Sequence, residues 1–346
     1  MGKQKKLLVI RLSAMGDCAM AVPVLNRFHH AYPEIQLKII TKAFFIPIFE
    51  VLPETIEVIP VYTEDAHKGV PGIIKLAKEL KKEGVDEVAD FHNVLRSKII
   101  RLYYSVFGIK SAAIDKGRKE KKELTRTEKK VFKQLKTTPE RYASVLEDLG
   151  YKIDLNRSVE VKKPELSAKV HELIQNTDKK HIGIAPFAAH EAKTYPIDLM
   201  KEILKKLSEV DGYHLFLFGG GKAEKSKLEG LEKEFENVQS MAGKLSFEEE
   251  IQLISRLDLM VSMDSGNGHL AAMFELPVIT LWGGTHPYAG FAPFNQPQEN
   301  QLIPDLKKYP LLPTSVFGNK QIEGYEEVMR SISPSSVVKR ITEILT

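Results

Sequence analysis

The sequence predicts an α/β protein built around two doubly wound parallel sheets. Short apolar segments alternate with helical segments through both halves of the chain, as parallel strands alternate with their crossover helices. The apolar segments are continuous rather than alternating, which is typical of strands covered by helices on both faces. A length of 346 residues favours two domains over a single core.

The elements of the first half follow from this alternation. The predicted strands are 6–12, 37–41, 56–61, 86–91 and 110–114. The predicted helices are 18–31, 70–83, 94–107 and 139–149. A polar stretch at 152–180, which contains Pro164, is the best candidate for a linker.

The alternation starts again at His181. The predicted strands are 181–186, 213–218, 237–241, 258–263 and 277–282. The predicted helices are 196–209, 222–235, 246–256 and 266–275. Residues 283–320 are rich in Gly, Pro, Asn and Gln and are predicted as loop, and an amphipathic helix is predicted over 322–345. The expected divisions of the chain are 1–163, 164–321 and 322–346.

The composition is ordinary for a soluble globular protein, with 43% hydrophobic and 28% charged residues. Cys18 is the single cysteine, so an intramolecular disulfide is impossible and a reducing compartment is expected. The apolar run Leu7–Ile10 is broken by Arg11 and does not resemble a signal peptide. No run approaches the roughly 18 apolar residues of a spanning helix. These features predict a cytoplasmic protein.

The net charge of +4 is unevenly distributed. Residues 116–136 contain ten Lys and Arg residues and three Glu residues, a local charge of +7. The commoner meaning of such a run is a solvated loop or helix face, and the alternative is a local site for an anionic partner. Phe132 is the single aromatic residue of the segment, which disfavours a nucleic-acid partner.

Two strand-to-turn-to-helix motifs, one in each half, carry the candidate chemistry. The first is Ser13-Ala14-Met15-Gly16-Asp17, which places Asp17 at the start of a helix. On spacing alone a helix cap is the favoured interpretation of Asp17, and the functional alternative is a general base. Ligands bind at the carboxyl ends of strands in such sheets, so the two motifs suggest two sheets that face one cleft.

The second motif is Asp264-Ser265-Gly266-Asn267-Gly268-His269. Two glycines in the first turn cost helix stability and are hard to justify by packing, which favours close approach of a ligand to the backbone. The free N–H groups of this helix start, with His269 in the next turn, are predicted to bind phosphate. The structural alternative is capping by Asp264 beside a flexible turn.

Two further loops follow strands of the second half. Lys193 lies in the loop after the first of these strands and can neutralise a diphosphate, although a lone loop lysine is usually just solvated. The run Gly219-Gly220-Gly221-Lys222-Ala223-Glu224 fits neither the dinucleotide nor the P-loop pattern. A nucleotide site with Glu224 on a ribose hydroxyl and a plain tight turn remain equal alternatives.

Several catalytic signatures are absent from the sequence. It has no Asp-x-Asp for a metal-bound diphosphate, no Cys/His zinc spacing, no Gly-x-Ser-x-Gly and no kinase signature. An activated phosphate donor would therefore have to be held by backbone amides, Lys and His rather than by Mg²⁺.

Three separated segments together resemble the heptosyltransferase family of bacterial glycosyltransferases, family 9. They are LLVIRLSAMGDCAMAVPVLNRF, AKTYP and AGKLSFEEEIQLISRLDLMVSMDSGNGHLAAMFELPVITLWGGTHP, in the family's order and spacing. The resemblance implies a GT-B fold, with two Rossmann-like domains, the active site between them and a C-terminal helix that crosses back to the first domain. It also implies inverting, metal-independent transfer of a sugar without a cofactor, typically heptose from ADP-heptose to a lipopolysaccharide core acceptor.

The resemblance assigns a role to each motif by position. Asp17 matches the family's proposed catalytic base, and Lys193 matches the lysine that contacts the donor. Glu224 matches a ribose-binding acid in a looser alignment, and the backbone N–H groups of Ala188 and Ala189 stand where the family often has phosphate-binding hydroxyls. The loop implied to hold the donor sugar and phosphates is Asp264, Ser265, Gly266, Asn267, Gly268 and His269.

The basic segment falls in residues 1–163, which the resemblance implies to be the acceptor-binding domain, whereas 164–321 is implied to bind the donor. Its residues Lys119, Lys121 and Lys122 are therefore expected to meet phosphorylated lipid or an anionic membrane surface. This would make the protein peripheral on the cytoplasmic face of the inner membrane.

The sequence also departs from the family pattern. The family's Gly-Pro-Thr-Asp-Pro appears as residues 283–287 with His286 in place of the acid, and Tyr195 stands where Trp is common. The alternatives are a nucleotide-sugar epimerase of GT-B type and a non-catalytic sugar-nucleotide or lipid-binding relative. An NAD-dependent dehydrogenase is disfavoured, because no complete G-x-G-x-x-G opens either half.

Overall fold

The computed structural model describes residues 4–175 and 178–346, and the chain divides into two compact units. The first unit is the chain up to Lys116 together with Thr138–Lys162. The second unit is Gly117–Thr137 together with Lys163–Thr346. The change of unit after Lys162 lies inside the predicted polar linker, of which residues 176 and 177 are outside the described part of the chain.

Strands and helices alternate through both units, as the apolar pattern predicts. The strands are β1 (Lys6–Ile10), β2 (Gln36–Lys42), β3 (Glu57–Val61), β4 (Glu87–Asp90), β5 (Lys110–Ala113), β6 (Lys180–Ala185), β7 (Tyr213–Leu217), β8 (Val238–Ser240), β9 (Leu259–Met263), β10 (Val278–Leu281) and β11 (Gln301–Leu302). The α-helices are α1 (Met15–Ala31), α2 (Ile46–Phe49), α3 (Gly69–Lys82), α4 (Leu95–Ser105), α5 (Arg118–Leu124), α6 (Thr138–Leu149), α7 (Ala168–Leu173), α8 (Ile197–Ser208), α9 (Gly221–Glu232), α10 (Phe247–Ile254), α11 (Gly266–Ala272) and α12 (Pro334–Leu345).

The sheet of the first unit has the strand order β3-β2-β1-β4-β5, and all neighbouring strands are parallel. Its core joins apolar strand residues to α3 and α4: Leu8, Ile10, Ile40, Val88, Ile73, Leu76, Leu80, Ile100 and Tyr104. The strand order reverses between β1 and β4, so the loops that follow these two strands lie together at one edge of the sheet.

The sheet of the second unit has the order β11-β10-β9-β6-β7-β8 and is also parallel throughout. Its strand order reverses between β6 and β9, which brings the loops after these strands together. The core joins strand residues to α8 and α12: Ile182, Ile184, Leu215, Leu217, Val261, Met200, Ile203, Leu204, Leu207, Val337 and Ile341. The predicted fold class, two doubly wound parallel sheets, is confirmed.

The terminal helix starts later than predicted. It begins at Pro334, because Ser333 caps it by accepting the Ser336 N–H at 3.1 Å. The stretch before it contains the single 3₁₀ turn Val328–Ser331. The helix contributes Val337 and Ile341 to the core of the second unit, which includes α8, and its packing on the first domain stays a prediction.

The inserted segment, residues 117–137, also differs from its prediction, since it belongs to the second unit rather than to the first. Leu124 and Leu135 form a small buried cluster with Ala289. The Leu135 N–H donates to the Tyr288 carbonyl at 2.9 Å. The apolar residues between its charges therefore fix the segment on the loop that follows β10, a long-range contact that local charge does not reveal.

Candidate functional site

Each unit places a carboxylate and a cation at the edge where its strand order reverses. In the first unit the loop after β1 carries Arg11 and leads into α1, which contains Asp17. In the second unit Lys193 lies in the loop after β6, and Asp264 follows β9 directly. These positions are where open parallel sheets bind their ligands.

In the first unit, Asp17 is the third residue of α1, whose N-cap is Ala14. The interpretation of Asp17 as the N-cap is therefore wrong in position, although its Oδ2 still accepts the Ala14 N–H at 3.4 Å. The same Oδ2 forms an ion pair with Nη2 of Arg11. The Asp17 side chain is 33% exposed. Its carboxylate is thus fixed through one oxygen while a third of the side chain stays exposed.

Arg11 is buried and held from several sides, and this fixes the carboxylate that it binds. Its Nη1 donates to the Phe91 carbonyl at 2.6 Å. Its guanidinium lies 5.8 Å from the ring centre of Tyr142, and the Tyr142 hydroxyl donates to the Asp17 carbonyl at 3.2 Å. Sequence reasoning missed this residue as part of the site. The available signal was a charged side chain directly after the apolar run of β1.

Two other titratable groups lie near the Arg11–Asp17 pair. Burial, reinforced by the nearby charge of Arg11, lowers the pKa of His92 to about 3. Its Nδ1 accepts the Leu12 N–H at 3.4 Å. Burial also raises the pKa of the Cys18 thiol to about 12. At neutral pH His92 is therefore uncharged and Cys18 is a protonated thiol, so neither competes with Asp17 for a proton.

In the second unit, Lys193, Asp264 and Thr285 form a lysine cluster. The Lys193 Nζ donates to the Asp264 backbone carbonyl at 2.7 Å and to Asp264 Oδ2 at 3.2 Å. The Thr285 hydroxyl donates to the same Oδ2 at 3.0 Å. The side chains of Lys193 and Asp264 are 12% and 9% exposed. Lys193 is thus a sheltered, paired cation, and the interpretation of it as a solvated loop lysine is wrong.

Glycines set the close packing around the lysine cluster. A Cβ on Gly283 would lie 2.2 Å from the Ala192 carbonyl oxygen, and the Gly284 N–H donates to that same oxygen at 2.7 Å. Gly318 has a φ of +75°, and a Cβ there would lie 2.4 Å from Cγ of Lys193. Since no larger residue fits at Gly283 or Gly318, these glycines bring the loops close enough to aim Thr285 and Lys193 at Asp264.

The predicted donor loop lies at the start of α11, which covers Gly266–Ala272 of the predicted 266–275. Ser265 is the N-cap residue, and its Oγ is buried without a hydrogen-bond partner among the described residues. His269 is buried within α11. A Cβ on Gly268 would lie 2.4 Å from Oγ of Ser262. Packing therefore does justify Gly268, and the argument that both glycines serve ligand approach is wrong for this one.

The remaining predicted donor residues lie in loops of the second unit. Ala188 and Ala189 follow β6, with Ala188 half-buried and Ala189 exposed. Glu224 is in the first turn of α9, and its Oε2 accepts the Gly220 N–H at 2.7 Å. The structure gives Glu224 a role in shaping the glycine turn, and its contact with a ribose stays a prediction.

The three lysines predicted to face an anionic surface have different surroundings. Lys119 and Lys122 are exposed on α5. Lys121 is buried, with its Nζ 3.9 Å from the ring centre of Phe291. A cation over an aromatic face stabilises the protein, so Lys121 helps to attach the inserted segment rather than to extend its charged surface.

His286, which replaces the acid of the family pattern, lies next to the lysine cluster in sequence and is buried. Its Nδ1 accepts the Tyr288 N–H at 3.1 Å, which places the imidazole proton on Nε2. Burial, helped by the charge of Lys130, lowers the pKa of His286 to about 4. Lys130 itself donates to the carbonyls of Leu311 and Leu312 at 2.6 and 2.9 Å. The position of the family's acid thus holds a neutral imidazole at neutral pH.

Within 4–175 and 178–346, no group of three or more His, Cys, Asp and Glu side chains is placed to hold a metal ion. In the same ranges, no helix combines the length and the apolar character needed to cross a bilayer.

Comparison with known protein families identifies one family. Its model, glycosyltransferase family 9 (heptosyltransferase), matches residues 73–314. Lipopolysaccharide heptosyltransferase 2 of Escherichia coli K12 is 24% identical over 355 residues, which cover 98% of this chain and 98% of that protein. The family 9 glycosyl transferase structure from Veillonella parvula DSM 2008 has a TM-score of 0.75 and 19% identity, and covers 100% of this chain and 98% of that one.

A second solved structure, the E. coli heptosyltransferase WaaC with ADP, has a TM-score of 0.68 and 18% identity. The match covers 98% of this chain and 99% of that one. At this level of identity the two structures establish a common fold, which is the GT-B fold that the resemblance implies.

Proposed function

The chain belongs to glycosyltransferase family 9, and from that premise we propose that it transfers heptose from ADP-heptose to a lipopolysaccharide core or related glycolipid acceptor. The observation that carries the proposal is the lysine cluster, a sheltered cation beside the predicted donor loop in a chain that matches the family over residues 73–314. The similar E. coli protein is a lipopolysaccharide heptosyltransferase, which supports this choice of donor and acceptor.

The lysine cluster is proposed to bind the donor diphosphate. An ammonium group has three N–H donors, and Asp264 accepts two of them, at its backbone carbonyl and at Oδ2. The third is the donor for a phosphate oxygen. Because Asp264, which is itself held by Thr285, fixes Lys193 before any donor arrives, little side-chain entropy remains to be lost on binding. The unpartnered hydroxyl of Ser265 supplies a second hydrogen-bond group in the same loop.

Asp17 is proposed as the general base of a single displacement. Its Oδ2 is occupied by Arg11 and the Ala14 N–H, so Oδ1 would take the proton from the acceptor hydroxyl. That hydroxyl oxygen forms the new bond to the anomeric carbon while the bond from this carbon to the diphosphate breaks. ADP leaves with the bonding electrons, and the configuration at the anomeric carbon is inverted.

The transfer is proposed to need no metal ion. The charge that develops on the leaving diphosphate would be balanced by Lys193, by His269 and by backbone N–H groups of the donor loop and of the loop with Ala188 and Ala189. Glu224 is proposed to contact the ribose through Oε1, since its Oε2 accepts the Gly220 N–H.

The exposed lysines Lys119 and Lys122 are proposed to contact phosphate groups of the acceptor. Lys121 is left out of this proposal because its ammonium lies over Phe291. The same two residues would favour a peripheral position at the cytoplasmic face of the inner membrane.

The test is a transfer assay with the purified full chain, ADP-heptose and a heptose-deficient lipopolysaccharide core, with and without EDTA. Mass spectrometry would detect the added heptose, and NMR would report its anomeric configuration. Heptosylation with inversion that persists in EDTA supports the proposal. Retained configuration overturns the single displacement, and loss of transfer in EDTA overturns the metal-free mechanism.

Two other outcomes would favour the alternative functions. Conversion of a nucleotide sugar in the absence of acceptor would identify an epimerase. Stabilisation by ADP-heptose in scanning fluorimetry, with no turnover against any core acceptor, would identify a non-catalytic binding protein. Stabilisation by a UDP- or GDP-sugar instead of ADP-heptose would overturn the proposed donor.

A further inference from the structure

Helix α4 of the first unit carries large apolar side chains on its solvent face. Leu95, Leu102 and Val106 are 73%, 69% and 76% exposed. Val106 is the C-cap residue of α4 and keeps helical backbone angles. At about 100° per residue, side chains seven and eleven positions after Leu95 lie within about 40° of one another around the helix. The three residues therefore form one straight apolar stripe along the helix.

This stripe is not the face that stabilises the fold. The buried residues of α4 are Ser97, Ile100 and Tyr104, and the last two belong to the core of the first unit. An amphipathic helix of a globular protein normally turns its polar side outwards. Here both faces are apolar, and the outer one has no packing role within the described chain.

Positive charge borders the stripe on both sides. Arg96 and Lys98 are exposed, and they lie about 100° to one side of Leu95 and about 60° to the other. Residues 95–107 contain no Asp or Glu. At the end of the helix, Phe107 is half-exposed beneath Lys81, whose Nζ lies 3.2 Å from the ring centre. An apolar line between cations, without acids, matches the boundary between lipid headgroups and acyl chains.

We propose that this α4 face, defined as Leu95, Arg96, Lys98, Leu102 and Val106, docks on an anionic lipid bilayer. The three apolar side chains enter the outer acyl region, and the two cations lie among the headgroup phosphates. A partner protein is disfavoured because a stable interface buries about 800 Å² on each side, whereas this stripe has three side chains and no acid for complementary pairing. The inference rests on the proposed function only to explain why the protein would dock on a bilayer, since a glycolipid acceptor is held there.

The α4 face and the exposed lysines Lys119 and Lys122 predict different salt dependence. Binding by lysines at the surface is electrostatic, and it falls steeply as ionic strength rises. Insertion of apolar side chains is not screened by salt. Vesicle binding through α4 is therefore expected to weaken in high salt but to persist, and this distinguishes the two surfaces.

The experiment is flotation of the full chain with vesicles of phosphatidylglycerol and phosphatidylcholine, at low and at high salt. The main variant is L95N/L102N/V106N, and R96Q/K98Q removes the bordering charge. The matched control is V210N/I303N, which removes two exposed apolar residues from the second unit. The variant K119Q/K122Q tests the inserted segment. Circular dichroism and scanning fluorimetry confirm that each variant is folded.

The triple variant is expected to bind vesicles at least about 30-fold more weakly at both salt concentrations, with the control unchanged. R96Q/K98Q is expected to lose about tenfold at low salt and little at high salt. The proposal is overturned if the triple variant binds vesicles as strongly as the wild type does. So does a triple variant that changes the sedimentation coefficient instead of vesicle binding, since the face would then be a contact between copies of the chain.

A separate readout distinguishes this inference from the proposed function. Transfer to a delipidated, water-soluble core fragment should be unchanged in the triple variant, and transfer to the same core in vesicles should fall with the loss of binding. If the wild type transfers no heptose at all, the proposed function fails while the flotation result still decides the inference.

Discussion

The two units use the same strand-to-turn-to-helix arrangement to hold a carboxylate and a cation, but only the first unit leaves one member of the pair partly exposed. In the first unit the cation, Arg11, is buried and Asp17 is one-third exposed. In the second unit both members are sheltered, and Asp264 accepts hydrogen bonds from Lys193 and Thr285. The topology is shared, so the difference comes from the side chains that surround each pair.

This difference suits the two tasks that are proposed for the chain. A base needs a carboxylate that is fixed in place yet reachable, and Arg11 fixes Asp17 from beneath without covering it. A site for an anionic leaving group needs a cation that is present before the ligand and does not move during the reaction, and Asp264 holds Lys193 in that state. In each unit one member of the ion pair therefore orients the other: Arg11 orients Asp17, and Asp264 orients Lys193.

The largest expected effect comes from removing the base. Asp17→Asn should lower kcat by about 10²–10⁴-fold, because the amide cannot take the acceptor proton. The ADP-heptose dissociation constant should change less than about threefold, since Asp17 has no proposed donor contact. Steady-state kinetics and calorimetry would measure the two values. A variant that loses donor affinity and keeps kcat would contradict the separation of tasks.

The pH dependence of stability should reveal the neutral His286. Its folded pKa of about 4 lies below the ordinary value of 6.5, so its contribution is complete above pH 6.5 and is lost as the pH falls towards 4. The loss amounts to about 3 kcal/mol in the free energy of unfolding. Urea unfolding at pH 7 and pH 4 should therefore show a smaller decrease for His286→Gln than for the wild type. Equal decreases would show that His286 is already charged in the folded protein.

Removing the cation of the proposed donor site should change donor affinity, whereas removing Asp17 should change kcat. Lys193→Met keeps the length of the side chain and is expected to weaken ADP-heptose binding by about 10–100-fold, since a hydrogen bond to a charged group is lost. Lys225→Met, a substitution of a half-exposed lysine on α9, is the control and should bind the donor as the wild type does. Unchanged donor affinity in Lys193→Met would remove the lysine cluster from the donor site.

The smallest expected effect concerns the glycines that pack the lysine cluster. Gly283→Ala should lower the free energy of unfolding by about 1–3 kcal/mol, because its Cβ would lie 2.2 Å from the Ala192 carbonyl oxygen. Gly220→Ala is the matched control, since a Cβ there has no atom within 4 Å. Thermal unfolding of both variants would measure the difference. Equal stability would mean that the loop can move away without cost.

Local sequence patterns predicted the strands well and the tertiary contacts poorly. Apolar runs such as Leu7–Ile10 and Leu259–Met263 form buried strands. A strand that is covered by helices on both faces is apolar along its length, so the local sequence is enough to predict it. The positions of Asp17, Lys193 and Asp264 after strands were also readable, since ligand groups collect at that edge. The local sequence at the end of a strand does not predict which distant side chain contacts it.

The missed residues illustrate this limit. Thr285 contacts Asp264 because the sheet order places β10 beside β9, and that order is not local information. Gly268 was attributed to a ligand, whereas its neighbour is Ser262 on the preceding strand. The inserted segment was assigned to the first domain by its position in the chain, whereas Leu124 and Leu135 decide its packing. Each error treats a contact with a distant or buried neighbour as a contact with solvent or ligand.

The packing of the inserted segment also has a consequence for how the chain is made. Leu124 and Leu135 emerge from the ribosome before Tyr288 and Ala289, which complete their cluster, have been synthesised. At ordinary rates of translation this delay is on the order of ten seconds. During that interval the nascent first unit carries a cationic, partly apolar loop that its own fold cannot cover. The segment therefore reaches its final packing only after the loop that follows β10 has been synthesised.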